Sequence, residues 1–170
     1  DSLLKAEFDR YREAGEPHPL MEAAGLDAVP FAHPELDRWR HNFTGVRWLD
    51  DETGWTLFGA IDDLWQAASG ELIVVDYKAT ARAEAPSAGK LYPSYQRQMD
   101  VYQFLVRRQG FEVSDRGWFV YANGDARAGA FEGRGESRLA EHGPDEATGR
   151  PRAHPLDVVV ERVLEPVAAH

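Results

Sequence analysis

Asp76 and Lys78 stand two residues apart at the charged end of the run ELIVVDYK (Glu71 to Lys78), the strongest strand signal in the chain. Side chains alternate along an extended backbone. Leu72, Val74, Asp76 and Lys78 therefore share one side, and Ile73, Val75 and Tyr77 the other. A carboxylate and an ammonium so placed emerge together from a buried strand. In isolation such a pair reads as an ion pair where a strand meets solvent, since strand ends are commonly charged. The preceding segment changes that reading, because Gly59-Ala60-Ile61-Asp62 closes another apolar run and brings a second carboxylate to the same sheet. Two carboxylates and a lysine suit Mg2+ or Mn2+. These ions prefer carboxylate oxygens and need only one or two of them, because they keep waters and take substrate phosphate oxygens; a nearby lysine can orient or deprotonate an attacking water. The chemistry implied is phosphodiester hydrolysis. Asp63 adjoins Asp62, but neighbours on a strand point to opposite faces, so Asp62 is the residue expected to reach the site.

The elements that must position these groups follow from periodicity. Residues 2 to 14 set Leu4, Phe8 and Tyr11 at helical spacing, ended by Gly15 and Pro17. An irregular stretch follows, and then a short helix is predicted from near Pro34, carrying Leu36, Trp39 and Phe43. Val46 to Leu49 and Thr53 to Asp62 read as a hairpin, with turn chemistry from Asp50, Asp51, Glu52 and Gly54; apolar residues on both faces of the second strand predict a central position. After the Glu71 to Lys78 strand and a loop over Thr80 to Leu91, Ser94 to Gln109 carries Tyr95, Met99, Tyr102 and Leu105 or Val106 on one stripe, closed by Gly110. Gln98 and Tyr102 lie one turn apart on this long helix, although Tyr102 reads equally as a core residue with its hydroxyl at the rim. Gly117 to Ala122 is a strand, Asn123-Gly124 a tight turn, and a weaker strand is expected around Ala130 to Leu139. Ala140 to Pro155 reads as a loop and Leu156 to Val167 as a final amphipathic helix. The expected architecture is α/β: a mixed central β-sheet flanked by helices, in one domain over 1–170, with helices in 1–44, the core sheet and long helix in 45–139, and loop and helix in 140–170.

Composition bounds the chemistry further. The chain has 170 residues, 29 Asp plus Glu against 19 Lys plus Arg, a formal charge of −10 and no cysteine. Disulfides, thiolate zinc, cysteine-ligated iron–sulfur clusters and a cysteine nucleophile are excluded. Only three lysines occur: Lys5, Lys78 and Lys90. An acidic total normally opposes binding to a polyanion. Between Asp76 and Arg108, however, six basic residues face three acids, a local +3 that genome composition would also explain. Lys90 and Arg97 fall in this stretch and are the expected nucleic-acid contacts. No segment resembles a signal peptide or a transmembrane span, so a cytoplasmic protein without membrane contact is expected; the first residue, Asp1, leaves room for an upstream signal.

In order and spacing, G59-A-I-D62, D76-Y-K78 and Q98-M-D-V-Y102 resemble the PD-(D/E)XK nuclease superfamily in its RecB-like branch. The resemblance is close over 55 to 105. It implies a restriction-endonuclease-like core and Mg2+ or Mn2+ held by Asp62, Asp76 and the backbone carbonyl of Tyr77. Lys78 would steady the attacking water or the developing charge, while Gln98 and Tyr102 would help to position the site and the DNA backbone. Relatives often add an upstream ligand; His33, Glu35 and His41 are the candidates, and His33 is preferred. Missing cysteines exclude the iron–sulfur subtype, and since these 170 residues contain no P-loop, a helicase motor would be another chain, a helicase or DNA-repair partner in trans, or a region outside this sequence. The activity implied is that of a metal-dependent deoxyribonuclease, with endo or exo action open. The alternative is a non-catalytic nucleic-acid-binding or protein-assembly module on the same fold. Trp65 remains open as a base-stacking platform, whereas Trp118 and Tyr121 are expected in the core.

Overall fold

The computed structural model describes residues 2–80, 93–123 and 137–142. Helix α1 (Ser2–Ala14) and the short α2 (Pro19–Ala23) precede strand β1 (Ala28–Pro30) and one turn of helix, α3 (Leu36–Trp39). A two-stranded antiparallel ribbon follows, β2 (Val46–Leu49) with β3 (Thr56–Gly59). The main sheet is built from β1, β4 (Asp63–Ala67), β5 (Leu72–Thr80), β6 (Gly117–Asn123) and β7 (Ser137–His142), in that spatial order, with α4 (Pro93–Arg108) connecting β5 to β6. Among the described strands of this sheet only β5 and β6 run parallel. A helical crossover is what a parallel neighbour requires, so the mixed sheet follows from the position of α4. The α/β architecture read from the sequence is the one found.

Strand β5 is central because both its faces are apolar. Leu72 and Val74 pack under α4 with Leu64, Met99, Tyr102, Leu105, Val106 and Phe119. Ile73, Val75 and Tyr77 face the other way, into a cluster with Leu4 and Phe8 of α1, Met21 of α2 and Trp65. Each aliphatic side chain so buried contributes ~1.5–3 kcal/mol. The period of two in this strand therefore assigns its two faces correctly.

The run Thr53 to Asp62 is not one central strand. Its pairing with β2 ends at Val46 opposite Gly59, and the chain enters the main sheet only at Asp63, which pairs with Val75. Gly45 and Gly59 make the corner possible. Gly45 has φ +53°, and a Cβ there would lie 2.6 Å from the Gly59 carbonyl oxygen. Two further elements, α2 and β1, occupy the stretch that reads as irregular. His18 caps α2 by accepting from Leu20 N–H at 3.1 Å, a role outside the usual Ser, Thr, Asp or Asn. Trp65 is fully buried and stacks on Phe8 at 5.4 Å, so it is core and not a base-stacking platform. Tyr121 is buried as expected and Trp118 is half-buried. The tight turn at Gly124, most of the weak strand before Ser137 and the C-terminal helix lie outside the described residues.

Candidate active site

The register of β4 against β5 builds the site. Pairing runs from Gln66 opposite Leu72 to Asp63 opposite Val75 and then stops, while β5 continues to Thr80 alongside β6. One step past the last pair, Asp62 faces Asp76. Directly opposed residues of antiparallel strands share a face, so the two carboxylates converge, whereas Asp63 and Val75 point to the other face. Where β4 has ended, the Asp62 carboxylate takes over a ladder contact: its Oδ2 accepts the Tyr77 backbone N–H at 2.9 Å.

Asp76 is buried, and Lys78 Nζ lies 2.6 Å from its Oδ2 as an ion-pair contact. That oxygen has no hydrogen bond of acceptable geometry. Burial pushes the Asp76 carboxyl up to about 6; Lys78 opposes the shift and the nearby Asp62 charge adds to it. Lys78 is itself held from α4. Its ammonium donates to Gln98 Oε1 at 3.0 Å and sits 4.5 Å from the centre of the Tyr95 ring. Gln98 then donates from Nε2 to the Tyr102 hydroxyl at 2.8 Å, which fixes which way the amide faces. Burial raises the Tyr102 hydroxyl to about 12; the Gln98 bond opposes this, and the Asp76 and Asp62 charges add to it. Tyr102 thus remains a neutral hydroxyl at physiological pH. It also packs against backbone, since a Cβ on Gly59 would meet its ring at 2.7 Å. Asp62, Asp76, Lys78, Gln98 and Tyr102 are thereby brought together from three separate segments.

The adjacent aspartate does different work. Asp63 is fully buried beneath α1 and forms ion pairs with Arg12 and with Arg40, the latter at 2.9 Å. Its Oδ2 accepts the Tyr77 hydroxyl at 2.5 Å and Trp65 Nε1 at 3.3 Å. Burial, and secondarily the Asp63 charge, hold the Tyr77 hydroxyl well above its ordinary range. Arg12 and Arg40 also share Asp9. Burial opposes the Arg40 charge, but Asp63 and Asp9 outweigh it and raise its pKa. This network clamps α1 and α3 to the strand that leads from Asp62.

His33 is not brought to the carboxylates. Its Nδ1 accepts the Glu35 backbone N–H at 3.2 Å, and its ring stacks on Trp39 at 4.6 Å. It lines a cavity of about 520 Å³ with Asp9, Arg12, Asp37 and Arg40, a lining that includes neither Asp62 nor Asp76. Glu35 pairs with Arg38, and His41 Nδ1 accepts from Phe43 N–H. Arg97 lies on α4, next in sequence to Gln98, while Lys90 lies outside the described residues. Sequence reasoning missed Lys5, whose Nζ on α1 stands 2.9 Å from Asp62 Oδ1. Only the scarcity of lysine hints at it. The contact of Tyr95 with Lys78 is likewise hidden in the sequence, where Tyr95 is simply part of the helical stripe.

Among the described residues, no three His, Cys, Asp or Glu side chains cluster to hold a metal. A hard divalent ion does not require three, and a buried carboxylate whose Oδ2 meets only the Lys78 ammonium at poor hydrogen-bond geometry, set beside a second carboxylate, matches its preference. The pair therefore fits such an ion.

A mixed sheet with a helical crossover, presenting two acids and a lysine where one strand outruns its neighbour, defines a class of phosphodiester-cleaving folds. Residues 1–163 match the family model of the PD-(D/E)XK nuclease superfamily, and the chain belongs to that superfamily, whose members are generally metal-dependent nucleases acting on nucleic acid. No curated protein and no solved structure matches the chain.

Proposed function

We propose that this protein is a Mg2+- or Mn2+-dependent deoxyribonuclease of the RecB-like branch, working in the cytoplasm as a single domain. The observation that carries the reading is the convergence of Asp62 and Asp76 with a lysine 2.6 Å from Asp76 that is separately oriented by Gln98. Asp62, Asp76 and the backbone carbonyl of Tyr77 would hold the ion. When bound, it would polarise the phosphodiester and make a coordinated water more acidic.

The chain's own groups perform the remaining tasks. Lys78 presents a cation to the attacking water and to the charge that develops on the phosphate oxygens. The Gln98 carbonyl and the Tyr95 ring keep this ammonium aimed, and Tyr102 fixes the Gln98 amide. Arg97 and Lys90 contact the DNA backbone, and a helicase or repair partner acts in trans. The decisive assay incubates purified protein with linear, circular and single-stranded DNA plus Mn2+. Wild type should cleave, and Asp76→Ala and Lys78→Ala should each lose at least a hundredfold in rate, the scale on which removing one electrostatic contributor acts. Cleavage undiminished in both variants overturns the reading.

A further inference from the structure

Lys5 Nζ lies 2.9 Å from Asp62 Oδ1, with the side chains 25% and 17% exposed. The other oxygen of Asp62 is already engaged by the Tyr77 N–H. Oδ1 is therefore the Asp62 oxygen available to an incoming cation, and a lysine from α1 occupies it. The two ammonium groups at the site are held differently. Lys78 contacts Asp76, Gln98 and the Tyr95 ring, whereas Asp62 is the only partner of Lys5 among the described residues. A long, flexible lysine with a single, partly exposed ion pair is cheap to release. Without a divalent ion, two carboxylates balance two ammonium groups. Adding two positive charges neutralises both carboxylates and leaves both ammonium groups in excess, and the more weakly held one departs.

Resting on the metal reading above, we propose that Lys5 is an internal counter-ion that closes the Asp62 side of the site and is displaced from Asp62 Oδ1 by the divalent ion. Removing a competitor strengthens the binding it competes with. Calorimetric titration of Mn2+ into the metal-free protein should then show Lys5→Ala and Lys5→Gln binding about fivefold more tightly than wild type, the factor set by a partly exposed ion pair. Lys5→Arg keeps the cation and should stay near wild type. Thermal unfolding gives a second readout. In EDTA Lys5→Ala should melt below wild type, because the Asp62 pair is lost. In saturating Mn2+ that gap should close, because Lys5 no longer touches Asp62 in either protein.

Wild type that binds Mn2+ saturably, with Lys5→Ala and Lys5→Gln unchanged or weaker, overturns this inference and leaves the metal site standing. A melting gap of equal size with and without Mn2+ also overturns it, since that is the behaviour of a purely structural brace. Absence of saturable Mn2+ binding in wild type and in every Lys5 variant overturns the metal reading, and the inference falls with it.

Discussion

At position 59 only a hydrogen fits. A methyl group there would approach Tyr102 Cε1 to 2.7 Å and Cδ1 to 3.1 Å, closer than carbon atoms tolerate. The ring cannot yield without moving its hydroxyl, which accepts from Gln98, whose carbonyl in turn orients Lys78. Gly59 is thus mechanically linked to the lysine through three contacts. Gly59→Ala should destabilise the fold by ~1–3 kcal/mol, as overpacking does, and lower nuclease activity more than the stability loss explains. Pairing it with Tyr102→Leu, which removes the clashing ring atoms, should restore most of the stability seen in urea denaturation while leaving activity low. A double variant no more stable than Gly59→Ala alone would show that the clash is not the cause.

The same logic at the level of strands turns on where β4 stops. Because Asp63 is its last paired residue and Asp62 lies one step beyond, two adjacent aspartates face opposite sides of the sheet and meet opposite environments. Asp63 is sealed between two arginines, a tyrosine hydroxyl and a tryptophan N–H. Neutralising it strands buried cations, so Asp63→Asn should cost ~3–5 kcal/mol in chemical denaturation. Asp62→Asn removes a partly exposed charge and should cost less than about 1 kcal/mol, while abolishing Mn2+ binding. Equal stability losses for the two would refute this division. Much of this is legible in the sequence where it depends on local period. Alternation along β5 puts Asp76 and Lys78 on one side, and helical spacing puts Gln98 beneath Tyr102. The preference for Asp62 over Asp63 rests on alternation along a strand that does not extend that far; it matches the geometry because the register of β4 obeys the same rule. What cannot be read are pairings between distant segments: Lys5 with Asp62, and Arg12 and Arg40 with Asp63. No periodicity encodes a contact between a helix at the N-terminus and a strand some fifty residues later. His33 shows the converse failure, since a histidine beside Pro34 gives no sign that its ring packs on Trp39.

For the molecule as a whole, 29 acids against 19 bases mean that acid titration reports many groups at once, so the contribution of one must be isolated by difference. Asp76 is the informative one, because burial raises its carboxyl from 3.8 to about 6 in the folded metal-free protein. Between those values the folded state holds a proton that the unfolded state has released. Stability contributed by this group is therefore complete below pH 3.8, falls as pH rises, and is gone above about 6. Asp76→Asn carries no such titration. Measured by urea denaturation in EDTA, wild type should lose roughly 2.5 kcal/mol relative to Asp76→Asn between pH 4 and pH 7, since each tenfold difference in proton affinity between the folded and unfolded chains is worth about 1.4 kcal/mol and part of the unfolded chain is still protonated at pH 4. The loss should change little with moderate salt, because desolvation is its largest cause and the opposing charges of Lys78 and Asp62 come second. A difference that stays flat from pH 4 to 7 would mean that Asp76 ionises alike in the folded and unfolded chains. In that case the burial of Asp76 beside a second acid would leave no thermodynamic trace.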